Sequence, residues 1–197
     1  MVSVACVGGV LCLMLAAAVC CAECVYESDQ ALYGYKHNWV VRNLKNSTLS
    51  IELELAKDGD TQETHWAAFA LNPMGPPGMA GAEIYMFIVK DDITAMDGVR
   101  LQDREAIANA LPPLKQRQLG GPINITFSGS ESTPSDRAFV EFDRFFDMRA
   151  GEYLELSDAS ELYFMHAVGP VGGDKQDTPM FHDSRFKTPN KVRLGSC

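Results

Sequence analysis

Alternation of apolar and polar residues is the dominant pattern along this chain. Leu49, Ile51, Leu53 and Leu55 fall on one side, and Ser50, Glu52 and Glu54 on the other, which predicts a half-buried strand. Residues 123–128 repeat the pattern, with Ile123, Ile125 and Phe127 inward and Asn124 and Thr126 outward. Three segments, 65–71, 84–89 and 162–168, are apolar at nearly every position and suit central strands covered on both faces. Shorter strand candidates lie at 39–42, 99–102 and 138–142, and Asp58-Gly-Asp60, Asp97-Gly98 and Ala150-Gly151 supply turns. Only residues 103–111 read as a short helix. Many short strands with almost no helical periodicity predict an all-β antiparallel sandwich or barrel with little helix. The Gly/Pro-rich stretch 72–82 is expected to be a loop inside one domain.

The first 22 residues contain no Asp, Glu, Lys or Arg, and residues 10–19 form an apolar centre. This predicts a signal peptide over 1–22, cleaved near Ala22, followed by a single domain over 23–197 that is secreted or held in the secretory lumen. An uncharged stretch of this length also suits an uncleaved anchor. No later segment is apolar for long enough to span a bilayer, so the mature chain is expected to have no transmembrane segment. Four of the six cysteines fall in the leader, which leaves Cys24 and Cys197. An even count in an oxidising compartment favours a disulfide between them; pairing with another chain, or two free thiols, are the alternatives. Asn46-Ser-Thr48 and Asn124-Ile-Thr126 fit N-glycosylation acceptors. The net charge of −9 argues against a nucleic-acid or anionic-membrane partner, since both need clustered cations.

Several pieces occur in a suggestive order: Trp66-Ala-Ala-Phe-Ala, Gly78-Met-Ala-Gly-Ala-Glu-Ile-Tyr, Val99-Arg-Leu-Gln-Asp-Arg104, Phe142-Asp-Arg144, Glu161 to Gly169, and His182-Asp-Ser-Arg185. Together, over about residues 30–195, they resemble a DOMON domain, most closely the kind attached to dopamine β-monooxygenase-like proteins. The resemblance implies an immunoglobulin-like antiparallel β-sandwich. Relatives either carry b-type haem or act as ligand-binding and interaction modules beside redox enzymes. Positions that hold iron in haem-binding relatives fall here at Met79 and His182, a pair suited to electron transfer because thioether and imidazole close both axial sites. Arg185 would then face a propionate. Gly78 and Gly81 would let backbone approach a flat macrocycle, or simply make a turn. If the strands near 84–89 and 162–168 are antiparallel neighbours, the loops bearing Met79 and His182 emerge at one end of the sandwich. Relatives often carry Asp, sometimes linked to cation binding, where this chain has Glu83.

The resemblance does not extend to a complete hydroxylase, whose copper centres need more imidazole ligands than the four histidines of this chain supply. No nucleophile elbow, zinc-binding His-Glu-x-x-His helix or phosphate-binding glycine loop occurs either. Met74 is a substitute for Met79, His166 is expected to pack in the sandwich, and His37 and His65 have no partner at metal-ligand spacing. The expected activity is therefore a non-enzymatic one. One form is a haem b electron-transfer module that serves a redox protein. The alternative is a haem-free module that binds a small ligand, a carbohydrate or a protein.

Overall fold

Strand pairing follows the apolar pattern closely. In the computed structural model, the described residues are 23–27, 31–44, 47–59, 61–74, 79–91, 93, 98–105, 124–128, 137–146, 153–173 and 178–197. Twelve strands occur: β1 (Glu23–Tyr26), β2 (Tyr35–Asn43), β3 (Thr48–Lys57), β4 (His65–Asn72), β5 (Glu83–Val89), β6 (Val99–Glu105), β7 (Asn124–Ser128), β8 (Arg137–Phe145), β9 (Glu161–Gly172), β10 (Thr178–Pro179), β11 (Ser184–Lys187) and β12 (Val192–Arg193). One sheet has the order β1-β2-β3-β8-β7. The other has β10-β9-β4-β5-β6, with β11 and β12 also paired to β9. Every pairing is antiparallel. Among the described residues there is no α-helix, and a 3-10 turn over Leu194–Ser196 is the sole helical element.

The two sheets face each other across one apolar core. Trp39, Leu53 and Val140 share a rung of the first sheet, and the Trp39 ring lies 5.3 Å from Phe69 and 5.8 Å from Phe87 of the second. Leu49, Ile51, Leu53 and Leu55 are all fully buried, the face their spacing predicted. β4 and β5 are buried at every position, as expected for strands covered on both sides. The all-β sandwich expected from the sequence is thus the architecture found.

One local expectation changes. Asp103–Glu105 do not start a helix but extend β6, in register with Tyr85, Ile84 and Glu83; pairing with β5 outweighs local propensity there, and residues 106–111 lie outside the described residues. The short strands β1, β10, β11 and β12 carry no periodic signal of their own and exist because a longer neighbour offers free backbone groups. Among the described residues no helix is long and apolar enough to cross a membrane.

Cys24, opposite Val41 on the edge strand β1, is bonded to Cys197 across 173 residues of chain, with Cα atoms 5.1 Å apart. This is the pairing expected from the sequence. A closed loop of that length contributes roughly 5 kcal/mol in the chain-entropy model, less any strain. The double substitution Cys24→Ser/Cys197→Ser is expected to lower the melting temperature by roughly 10 °C or more. Reductant should lower the wild-type Tm similarly and leave the double variant unmoved; a wild-type melt insensitive to full reduction would contradict this.

Candidate functional site

Across β9, β4 and β5 the side of the second sheet turned away from the core is also apolar, and Arg100, Gln102 and Arg104 of β6 border it. Three cross-strand rows form it: Ile84-Ala70-Met165, Met86-Ala68-Ala167 and Ile88-Trp66-Gly169. With Ala82 they make a buried cluster separate from the main core, and Met79, Met165, Ala167 and Val171 pack against it. Alanine occupies the middle of the first two rows and Trp66 that of the third, with Ala167 and Gly169 beside them on β9.

Both sequence-predicted ligands reach this face. Met79 comes from the β4–β5 turn, which the Ala82 N–H closes onto the Met79 carbonyl at 2.9 Å. Gly81 takes the left-handed φ of +78° that this turn requires, so its role is conformational; Gly78 lies outside the described residues. His182 lies before β11, where the chain crosses the Ile88-Trp66-Gly169 row. A Cβ at Gly169 would stand 2.8 Å from the His182 Cα and from two carbons of the Trp66 ring, so only glycine admits this crossing. The Trp66 indole N–H donates to the Met180 carbonyl at 3.1 Å and holds the crossing down. His182 is half-buried, with its ring 4.5 Å from Phe181. Arg185 pairs with Ala167 at the rim of the same face and is exposed.

The expected route to this juxtaposition is corrected. β5 and β9 are not neighbours, because β4 lies between them and pairs with both. They therefore run parallel to each other, and the loops bearing Met79 and His182 approach the face from its two opposite ends. The terminal rows are four residues apart, about 13 Å along the strands. Met74, the substitute ligand, is 77% exposed beside the turn. Asn46 lies outside the described residues, and Asn124 opens the edge strand β7, opposite Glu141.

Two buried polar contacts between the sheets carry no signal in the linear sequence. At one end, His37 of β2 and His65 of β4 meet with their Nε2 atoms 2.8 Å apart. The Glu63 carbonyl, 2.8 Å from His65 Nδ1, can only accept; His65 Nδ1 therefore carries the proton and its Nε2 accepts from His37. Tyr33 stacks on His65 at 5.1 Å, and its hydroxyl donates to Asp183. His166, at the β9 rung paired to Phe186, stacks on that ring at 5.1 Å. Burial pulls His37 down to about 3, helped by His65 and His166, and pulls His65 and His166 down to about 4. His37 and His65 are thus neutral hydrogen-bonding groups of the core, and half-buried His166 is a neutral stacking partner of Phe186. Among the described residues no group of three or more His, Cys, Asp or Glu could hold a metal ion.

At the other end, Arg144 of β8 is fully buried and grips Glu83 of β5 with a fork, Nε to Oε1 at 2.6 Å and an Nη2 to Oε2 at 3.1 Å. Arg144 also donates to the carbonyls of Phe145 and Leu154. Glu83 further accepts from the Tyr85 hydroxyl and, at 2.8 Å, from the Leu154 N–H. Burial alone would lower the Arg144 pKa, but Glu83 and Tyr85 outweigh it and raise it. Both Glu83 oxygens are engaged by these donors, so here the position serves as the counter-charge of an arginine.

No family model, curated protein or solved structure matches the chain.

Each lock makes a measurable demand. Breaking the ion pair with Arg144→Met leaves a buried carboxylate unmatched and is expected to cost about 3–5 kcal/mol. In urea melts, Glu83→Leu/Arg144→Met should recover part of that loss; a single variant as stable as wild type would refute the role. The histidines have folded-state pKa values below the unfolded 6.5, so the unfolded chain takes up their protons first. Their contribution is complete above about pH 6.5. It is lost as pH falls through about 4 for His65 and His166 and about 3 for His37. The slope reaches about 1.4 kcal/mol per pH unit for each ring. The double variant His37→Leu/His65→Leu should show a visibly shallower decline between pH 6 and 4, read by denaturant melts at each pH.

Proposed function

We propose that this chain is an immunoglobulin-like, DOMON-type sandwich of the secretory pathway that carries b-type haem on the outer face of its second sheet. In this reading it passes single electrons to or from a redox partner protein and is not itself a complete hydroxylase. The observation that carries the proposal is the convergence of Met79 and His182, from opposite ends, on one apolar face with a low floor of Ala68, Ala70, Ala167 and Gly169.

The residues present fit the group. Met79 offers a thioether and His182 an imidazole, and haem held by this pair would supply one-electron transfer. The Ile84, Met86 and Ile88 column would exclude water from the bound group. Arg185, charged and exposed at the rim, would meet a propionate in a charge-assisted hydrogen bond. Gly169 and the Trp66 to Met180 bond hold the His182 crossing in place, so they act on the site without touching the ligand. Glycans at Asn46 and Asn124 belong to the same secretory reading.

One observation favours a second reading. Trp66, Ala68, Ala70, Ile84, Met86 and Ile88 are only 2–5% exposed, so the floor is already covered, in part by Met79. A haem-free module would keep Met79 as that cover and use another surface to hold a small ligand, a carbohydrate or a protein.

Haem titration of the purified mature chain separates the two. Stoichiometric uptake with a sharp reduced Soret and α band is expected, and Met79→Ala should lower the reduction potential and change the spectrum. His182→Ala should weaken uptake. A chain that takes up no haem, or whose spectrum ignores both substitutions, would overturn the haem reading and leave the haem-free module.

A further inference from the structure

Residues 184–197 contain four cations and no Asp or Glu, in a chain with 26 acidic and 17 basic residues. Pairing with β9 gives these cations an order that their spacing alone does not. Arg185 stands opposite Ala167, Lys187 opposite Met165, and Arg193 opposite Glu161. Lys191 falls between, with its Nζ 5.9 Å over the Tyr163 ring, and the Lys187 Nζ lies 5.3 Å over the same ring. Rungs 161, 165 and 167 of β9 are thus each paired to one cation, Lys191 stands over the Tyr163 ring between them, and Glu161 is the one acid on these rungs. At two residues per step the row runs about 20 Å.

The phase survives an irregularity. From Lys187 to Val192 the edge takes five residues, while β9 takes three from Met165 to Leu162. The two additional residues form a bulge around Pro189, which returns Lys191 and Arg193 to the face of Arg185 and Lys187. Among the described residues none of the four forms an ion pair; Arg193 only donates weakly to the Asp158 carbonyl at 3.4 Å. Cations and prolines commonly guard an open sheet edge. That task needs one or two charges on either face, not four on one face kept in phase across a bulge.

We propose that this row is a docking strip for a linear sulfated polysaccharide. The strip is one side chain wide, which suits a chain-like polyanion. An acidic peptide strand pairing with β11 would meet the bulge and Pro189, whereas a ligand that contacts only side chains is indifferent to them. A planar anionic membrane would also bring the acidic remainder of the protein against its own charge; Glu52, Glu54 and Glu141 already line rungs of the other sheet. Sulfates are ionised at all relevant pH and accept the charge-assisted bonds that Lys and Arg donate. The low net charge argument against polyanions holds for the surface as a whole; the register concentrates the exceptions in one row. Arg185 is shared with the haem reading, so the test rests on Lys187, Lys191 and Arg193, which that reading does not use.

The test is binding of a heparin octasaccharide to the full mature chain, read by titration calorimetry at two salt concentrations. Desulfated octasaccharide, phosphatidylserine vesicles, duplex DNA and polyglutamate run in parallel. Sulfated chain alone should bind. Lys187→Ser/Lys191→Ser/Arg193→Ser should weaken it roughly a hundredfold, from about fivefold per cation near an anionic surface. Lys36→Ser, a cation on the other sheet, should leave it unchanged. If the triple variant fails to fold, Lys191→Gln should still reduce the slope of log K against log salt by about one. Equal affinity for the desulfated chain, stronger binding to vesicles, DNA or polyglutamate, or a folded triple variant that binds like wild type would each overturn the proposal.

Discussion

An arginine taken wholly out of water must find its counter-charge, and in this protein Arg144 finds Glu83 on the opposite sheet. The fork between them fixes how closely β8 and β5 approach at one end of the sandwich. The start of β5 then has one position, and the turn that presents Met79 is tied to it four residues earlier. A buried ion pair is seldom the most stabilising way to fill a core; its worth lies in direction, since a guanidinium fork matches a carboxylate only when both strands are correctly placed.

The His37–His65 bond does the complementary work at the far end, where two neutral rings join β2 to β4. Between the two polar contacts lies an aromatic core of Trp39, Phe69, Phe87 and Phe164. The Cys24–Cys197 bond closes the circuit by tying the edge strand β1 to the end of the chain. Charge, hydrogen bond and covalent link therefore act at separate places on the same sandwich. Each restrains a movement that apolar packing, which has no directionality, would leave free.

The two central strands of the second sheet, β4 and β5, are buried on both sides. Their inner face belongs to the core, whereas their outer face forms a second cluster that needs its own cover. The proposed ligand face and the cationic row are neighbours on this side: Met165 and Ala167 belong to the floor, and Lys187 and Arg185 stand opposite them on β11.

Strand positions were legible because period-two alternation needs only neighbours in sequence; Leu49 to Leu55 settles its own inner and outer sides. The apolar-on-both-faces character of 65–71 and 84–89 likewise announced central strands, and Cys24 and Cys197 favoured the disulfide that is found. Which residues stand together across the sheets was not legible, since nothing in the spacing of His37 and His65, or of Glu83 and Arg144, distinguishes partners from strangers. Strand order had the same limit: placing β4 between β5 and β9 sends Met79 and His182 to opposite ends of one face, and the phase of Arg185, Lys187, Lys191 and Arg193 exists only against β9. Local alternation is a one-dimensional property that the amino-acid order determines by itself. Register and sheet order are set by the whole core at once, as the arrangement that buries every apolar face while leaving no buried charge unmatched.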